Sequence, residues 1–149
     1  MTAKGFTALE ILVSLAIMAL LVVVSIGSFS KVQNTMYLDG AVESVSSLIR
    51  EARSRTLASD GGSQFGVYFE TKRAALFRGV SFSEGEPDNK VYNLPDKAEI
   101  ININFPANSV VFKRMTGDTE VLGDVSIKLK NASNVKKILI NEVGLIYVE

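Results

Sequence analysis

One stretch near the N-terminus, from Ile11 to Ser30, contains no charged residue, and its only polar side chains are serines. A run of about 20 apolar residues has the length that a helix needs to cross roughly 30 Å of hydrocarbon. The rest of the sequence has turn residues and short alternating runs, and it is long enough for one modest core. We therefore expect one membrane-type helix joined to one small soluble domain.

Composition narrows the range of functions. The chain has 149 residues with 16 basic and 16 acidic side chains, so no net charge attracts nucleic acid or anionic lipid, and such binding would need a local patch. Cysteine is absent, which excludes disulfides and thiolate metal sites. Histidine is absent too, which removes the usual proton shuttle and the commonest metal ligand. The sequence therefore predicts a protein that is not an enzyme, with no catalytic residues, cofactor or metal.

A lone acid, Glu10, stands immediately before the uncharged run. Lys4, together with the small residues Ser25 and Gly27, fits a secretory signal peptide, but the acid at the junction and the length of the run disfavour that interpretation. A second interpretation is a plain membrane anchor, in which Thr7 and Glu10 form a capping box at the start of the helix. A third interpretation uses the whole string KGFTALE of residues 4–10.

This string, followed by a long apolar helix, resembles the N-terminus of the type IV pilin and pseudopilin family. In that family a prepilin peptidase cleaves after the glycine, and the new first residue is N-methylated. The resemblance implies a leader of residues 1–5, cleavage between Gly5 and Phe6, and N-methylation of Phe6. It also implies that Glu10 and Phe6 act in assembly, with the carboxylate of one subunit meeting the N-terminal amine of the next. Unlike major pilins, the run has no proline.

The helical period continues through residues 31–59 with a more polar composition. Apolar or small side chains recur three, four or six residues apart, which predicts that one stripe of this second half covers a sheet: Val32, Leu38, Val42, Val45, Ile49, Ala52 and Thr56, widened by Leu48 and Leu57. Arg50, Arg53 and Arg55 could track phosphates. Glu51 lies among them, and an ordinary solvated face is the preferred interpretation.

Residues 60–149 alternate as antiparallel strands do. Asp60-Gly-Gly is expected to end the helix. The expected strands are 64–70, 74–78, 99–105, 109–115, 125–129, 137–141 and 145–148, with hairpin loops at 71–73 and 131–134. A helix followed by antiparallel strands predicts an α+β fold. The resemblance adds a pilin-like arrangement, with a membrane-spanning or filament-core helix at 6–30, an amphipathic half at 31–59 and an antiparallel domain at 60–149.

Several later segments resemble the GspH/FimT branch of the family: LIREARSRTLA at 48–58, FKRMTG at 112–117, GDVSIKL at 123–129 and ILINEVGLIYV at 138–148. The resemblance implies a minor pseudopilin of a type II secretion pseudopilus, or alternatively a minor type IV pilin, including a DNA-uptake pilin of the FimT type. That branch commonly has a basic tail, whereas here no Arg or Lys follows Lys137. Binding to nucleic acid is therefore not expected.

The same resemblance implies the partners and the location. The expected partners are other pilin or pseudopilin subunits, prepilin peptidase, and an assembly platform in the inner membrane. The chain would cross that membrane once, with its C-terminal domain outside the cytoplasm, and then enter the filament.

Two minor signals remain in the C-terminal part. Glu84, Glu86 and Asp88 alternate in a loop and could present oxygens to calcium, although a solvated loop is the preferred interpretation. Asn131-Ala-Ser matches a glycosylation sequon, to which we assign no function.

Overall fold

The computed structural model of the chain describes residues 5–130 and 133–149, and for residues 24–31 it describes the backbone alone. The chain divides into two compact units, Met1–Thr35 and Met36–Glu149. Helix α1 (Ala8–Leu57) begins in the first unit and ends in the second. No helix in the described part of the chain presents an apolar stretch long enough to span a membrane. The predicted apolar run reaches into residues 24–31, whose side chains lie outside that part.

Within the second unit, one stripe of α1 is buried, as its period predicts. Leu38, Val42, Val45 and Ile49 are all at most 3% exposed, and Ala52 is completely buried. Thr56, at the end of the predicted stripe, is buried. Val32, at its start, and Leu57, which was expected to widen it, are exposed. Every buried side chain among the described residues lies at or after Leu38, so Met36–Glu149 contains the whole described core.

Two four-stranded antiparallel sheets make up the rest of the second unit. The first has the strand order β3–β2–β1–β5, and the second has the order β4–β6–β7–β8. The bounds are β1 Phe65–Glu70, β2 Arg73–Arg78, β3 Lys90–Asn93, β4 Ala98–Ile103, β5 Ser109–Val111, β6 Gly123–Leu129, β7 Val135–Ile140 and β8 Ile146–Val148. Short 3-10 turns occupy Asp60–Gly62 and Pro106–Asn108. The α+β prediction of a helix packed on antiparallel strands is confirmed.

A single core cluster joins α1 to both sheets. Aromatic side chains from the first sheet, Phe65 and Phe69, are buried together with Ile127 and Ile138 from the second. Phe69 stacks on Phe105, with ring centroids 5.9 Å apart. Burying side chains of this size stabilises a fold by about 1.5 to 3 kcal/mol each, so the core rather than helix propensity holds this unit together.

The strand predictions are confirmed where the apolar alternation is regular and differ elsewhere. Strand β4 ends at Ile103 rather than Phe105. The short edge strand β3 (Lys90–Asn93) was not predicted, because its mostly exposed side chains give no alternating signal. Strand β5 ends at Val111 rather than Met115. A register shift between Ile100 and Asn102 leaves Ile101 46% exposed. The predicted loop 131–134 falls partly on residues 131–132, outside the described residues.

The end of α1 also differs in detail from the prediction. The left-handed residue that follows the helix is Ser59, with φ of 50°, and Gly61 and Gly62 come next with positive φ. Thr56 stabilises this end, since its hydroxyl donates to the carbonyl of Ala52 at 2.8 Å and accepts from the backbone N–H of Phe65 at 2.9 Å. The side chain thereby connects the last turn of the helix to the first strand.

Candidate functional site

The residues of the expected processing site lie at the start of the described chain. Gly5 and Phe6 precede α1 without regular secondary structure, and the Phe6 side chain is 81% exposed. No described atom lies within 4 Å of the position that a side chain on Gly5 would occupy. The described part of the chain therefore leaves the region around Gly5 and Phe6 open.

The start of α1 contains half of the predicted capping box. The backbone N–H of Glu10 donates to the hydroxyl of Thr7 at 3.3 Å, which satisfies one of the free donors of the first turn. The Ser14 hydroxyl donates to the Glu10 carbonyl at 2.7 Å. The carboxylate of Glu10 forms no ion pair within the described residues. The cap uses only the backbone of Glu10, so its carboxylate is not consumed by the cap.

The three arginines of the possible phosphate-binding face all have partners within the second unit. Arg50 forms a salt bridge with Glu43 at 2.9 Å. Arg55 forms a salt bridge with Asp60 at 2.9 Å, and its guanidinium lies 4.3 Å from the centre of the Phe65 ring. These contacts disfavour a phosphate-binding face, because a phosphate would have to displace existing partners.

The third of these side chains, Arg53, holds two loops at the end of α1. Its Nε donates to the carbonyl of Gly117 at 3.1 Å, and its Nη2 donates to the carbonyl of Val143 at 3.2 Å. Gly144 has φ of +75°, and a Cβ there would overlap the Gly117 carbonyl oxygen and lie 2.8 Å from Nε of Arg53. Sequence reasoning noted Arg53 but missed its contacts with Gly117 and Val143, since those residues are far from it in the chain.

The acidic loop is engaged by two arginines. Glu84 forms a salt bridge with Arg73 at 2.8 Å, and Asp88 forms one with Arg78 at 3.3 Å. The described residues contain no cluster of three or more carboxylates, imidazoles or thiols that could hold a metal ion. The loop therefore gives no support to the calcium interpretation.

The same Arg73 also binds Glu70, with Nε 2.6 Å from a carboxylate oxygen. This hydrogen bond lowers the pKa of the Glu70 carboxyl below its ordinary value, and partial desolvation opposes the shift. The pKa of Arg73 is raised in turn, chiefly by the hydrogen bond to Glu70. Both groups stay charged at neutral pH, so the pair closes the β1–β2 hairpin and has no features of an acid–base site.

The grooves of the second unit are open and have no catalytic arrangement of side chains among the described residues. One groove of about 550 Å³ lies between α1 and the edge strand β3. Its charged lining includes Glu51 and Lys90, which form a salt bridge with each other at 2.6 Å. A second groove, of about 430 Å³, borders β5.

Comparison with known proteins gives one informative result. No protein family matches the sequence, and no curated protein matches it. Among solved structures, the minor pseudopilin EpsH from the type 2 secretion system of Vibrio cholerae is similar, with a TM-score of 0.53 and 16% sequence identity. The match covers 73% of this chain and 95% of that one. The fold of this chain is therefore similar to that of a minor pseudopilin.

Proposed function

We propose that this protein is a structural subunit of a pilin-like filament, most specifically a minor pseudopilin of a type II secretion pseudopilus. The observation that carries the proposal is the joint occurrence of a pseudopilin-like fold and the string KGFTALE ahead of an uncharged run. A plain membrane anchor would also have the uncharged run, and a shared fold alone does not fix a function. Their combination on one chain, in the order that a pilin requires, favours assembly over any enzymatic or ligand-binding role.

The N-terminal segment supplies the anchor in this proposal. Residues 1–5 are removed by a prepilin peptidase, and residues 6–30 cross the inner membrane before they enter the filament. The support comes from the absence of charge between Ile11 and Ser30. The second unit then lies outside the cytoplasm.

In this proposal the carboxylate of Glu10 pairs with a neighbouring subunit during assembly. A carboxylate within hydrocarbon costs roughly 2.5 to 3.5 kcal/mol on insertion scales and is normally retained for a partner. After cleavage, the amine of Phe6 on a neighbouring subunit provides a positive charge at nearly the same depth. A buried charge that loses its partner is strongly destabilising. Only an alignment that places Glu10 opposite this amine avoids that cost, so the pairing would set the axial register of the subunits.

The first experiment identifies the mature N-terminus by mass spectrometry. We expect a chain that starts at N-methylated Phe6, and a Gly5→Leu variant that stays at full length. Gly40→Leu is the control, because Gly40 lies outside the recognition string, within helix α1, and a Cβ there meets no described atom. A native chain that retains Met1, or starts at another residue, would refute the processing step.

The second experiment separates charge pairing from helix capping. Glu10→Gln removes the charge but keeps a side chain that can complete a capping box, so the cap alone predicts normal assembly. We expect the Gln variant to reach the membrane and to fail in filament incorporation, measured by crosslinking to the other subunits. Thr7→Ala is the converse control, because it removes the observed cap and leaves the carboxylate. Normal incorporation of the Gln variant would reduce Glu10 to a capping residue.

The alternative of a minor type IV pilin shares all of these steps, and the identity of the crosslinked subunits separates the two systems. The DNA-uptake form has weaker support, because Arg50 and Arg55 are paired with acids and Arg53 with carbonyls. Salt-dependent binding of duplex DNA by residues 31–149 would favour it.

A further inference from the structure

Some basic side chains of the second unit form salt bridges with acids, and others do not. Most of those described form salt bridges with an acid. Lys97, Lys128 and Lys130 have no carboxylate within 4 Å among the described residues, and we call them the lysine surface. Isolated solvated lysines are common on protein surfaces, so these three indicate a binding surface only if they lie close together.

Backbone pairing places these three lysines at one end of the second sheet. The backbone N–H of Lys130 donates to the carbonyl of Lys97 at 2.8 Å, directly beside the paired residues Ala98 and Leu129. Lys128 lies on β6, one register position further along the same strand pair, opposite Glu99. The three side chains therefore belong to one corner of the sheet.

The start of the second unit lies at this same corner. Lys97 Nζ is 5.2 Å from the centre of the Tyr37 ring. The next strand, β7, contributes Lys136, which forms a salt bridge with Asp39 at 2.8 Å. Because the unit begins at Met36, Tyr37 and Asp39 mark the end at which the chain arrives from residues 6–30.

Positive charge is in excess at this corner. Lys72 also lies there, since its Nζ donates to the backbone carbonyls of Asp96 and Ala98 at 3.2 and 2.6 Å. The nearby acids without a described salt bridge are Asp96 and Glu99. These two carboxylates do not balance Lys72 together with the three members of the lysine surface.

Exposed apolar side chains accompany the charge. Met36 is 70% exposed and Tyr37 is 39% exposed. Tyrosine is enriched where a membrane meets water, and lysine next to a membrane segment is attracted to anionic headgroups. The combination fits the polar boundary of a bilayer better than bulk water alone.

We propose that the lysine surface binds the headgroups of anionic phospholipids and so holds this corner of the second unit against the membrane before assembly. The inference rests on the proposed membrane anchor, which brings the corner to the bilayer. Each lysine near such a surface contributes a weak attraction that salt screens, so the contact is reversible and would release on entry into a filament.

The test measures lysine acetylation in the full-length chain by mass spectrometry. The protein is reconstituted into vesicles of phosphatidylcholine, or of equimolar phosphatidylcholine and phosphatidylglycerol, and each rate is divided by that of Lys113 in the same molecule. Lys113 is a suitable reference because it lies in the turn that Arg53 contacts. Arg53 is near the C-terminal end of α1, whereas the lysine surface lies near Met36, where the second unit begins. We expect Lys97, Lys128 and Lys130 to react about threefold more slowly with the anionic lipid, and high salt to abolish the difference.

A variant tests cooperation within the surface. Lys128→Gln combined with Lys130→Gln leaves Lys97 as a reporter, and its protection by anionic lipid should fall. Arg114→Gln removes a charge elsewhere that has no acidic partner among the described residues, and it should leave that protection unchanged. Equal rates in both lipids, with the chain floating on both kinds of vesicle, would overturn the lysine surface and leave the anchor intact. A chain that floats with neither would refute the anchor, and the lysine surface with it.

Discussion

Replacement of Gly144 by alanine tests the contact between Arg53 and the loops at the end of α1. At φ of +75°, an alanine is strained by about 1 to 2 kcal/mol. Its Cβ would also overlap the Gly117 carbonyl and displace Arg53, which donates to both loops. A hydrogen bond from a charged donor contributes about 1.5 to 3 kcal/mol, so the loss of one such bond together with the strain gives an expected destabilisation of about 2.5 to 5 kcal/mol.

Gly85→Ala is the matched control for this substitution. Gly85 has φ of +84°, but a Cβ there meets no described atom within 4 Å. The control therefore carries the backbone strain without the overlap, and we expect it to lose only about 1 to 2 kcal/mol.

Urea unfolding of Met36–Glu149, followed by circular dichroism, measures both variants. With a slope of about 2 kcal/mol per molar urea for a small domain, Gly144→Ala should lower the midpoint by about 1 to 2.5 M, and Gly85→Ala by about 0.5 to 1 M. Equal losses for the two variants would refute the contribution of the Arg53 contacts. An Arg53→Met variant removes the hydrogen-bond donors without straining Gly144. Its loss of stability should equal most of the difference in stability between Gly144→Ala and Gly85→Ala.

Three further outcomes follow from contacts in the second unit. Thr56→Val should destabilise the unit by about 1 to 3 kcal/mol in urea unfolding, because the buried N–H of Phe65 loses its acceptor, whereas Thr56→Ser should be nearly neutral. Ile127→Ala should cost about 2 to 5 kcal/mol in the same assay, since Ile127 is fully buried between neighbouring strands. The lowered pKa of Glu70 means that its ion pair with Arg73 stabilises the fold above the ordinary carboxyl pKa of 4.5 and that this contribution is lost as pH falls through the lower folded value. Thermal unfolding from pH 7 to pH 3 should therefore show a smaller loss of stability in Glu70→Gln than in the native chain.

The sequence was most informative where burial imposes a period. The stripe from Leu38 to Ala52 and the strands around Val67 and Ile127 were predictable because one face of each element must meet the core. The edge strand β3 was not, because its side chains are largely solvated and backbone pairing alone defines it. Single-sequence periodicity has no access to such pairing.

The candidate site shows the same division. The hydrogen bond from the backbone N–H of Glu10 to the hydroxyl of Thr7 could be predicted from their three-residue spacing, and it is half of the predicted capping box. The partners of Arg53 come from turns that are distant in sequence, so no local spacing reveals them. The lysine surface likewise depends on strand register, which brings Lys97 next to Lys130.

Burial in the described chain begins only at Leu38, and this has a consequence for the proposed removal of residues 1–5. Trimming a few residues from the front of the polypeptide alters its charge and its outermost chemistry while leaving every described buried contact intact. Precursor and trimmed product would then melt at the same temperature as far as the globular part is concerned.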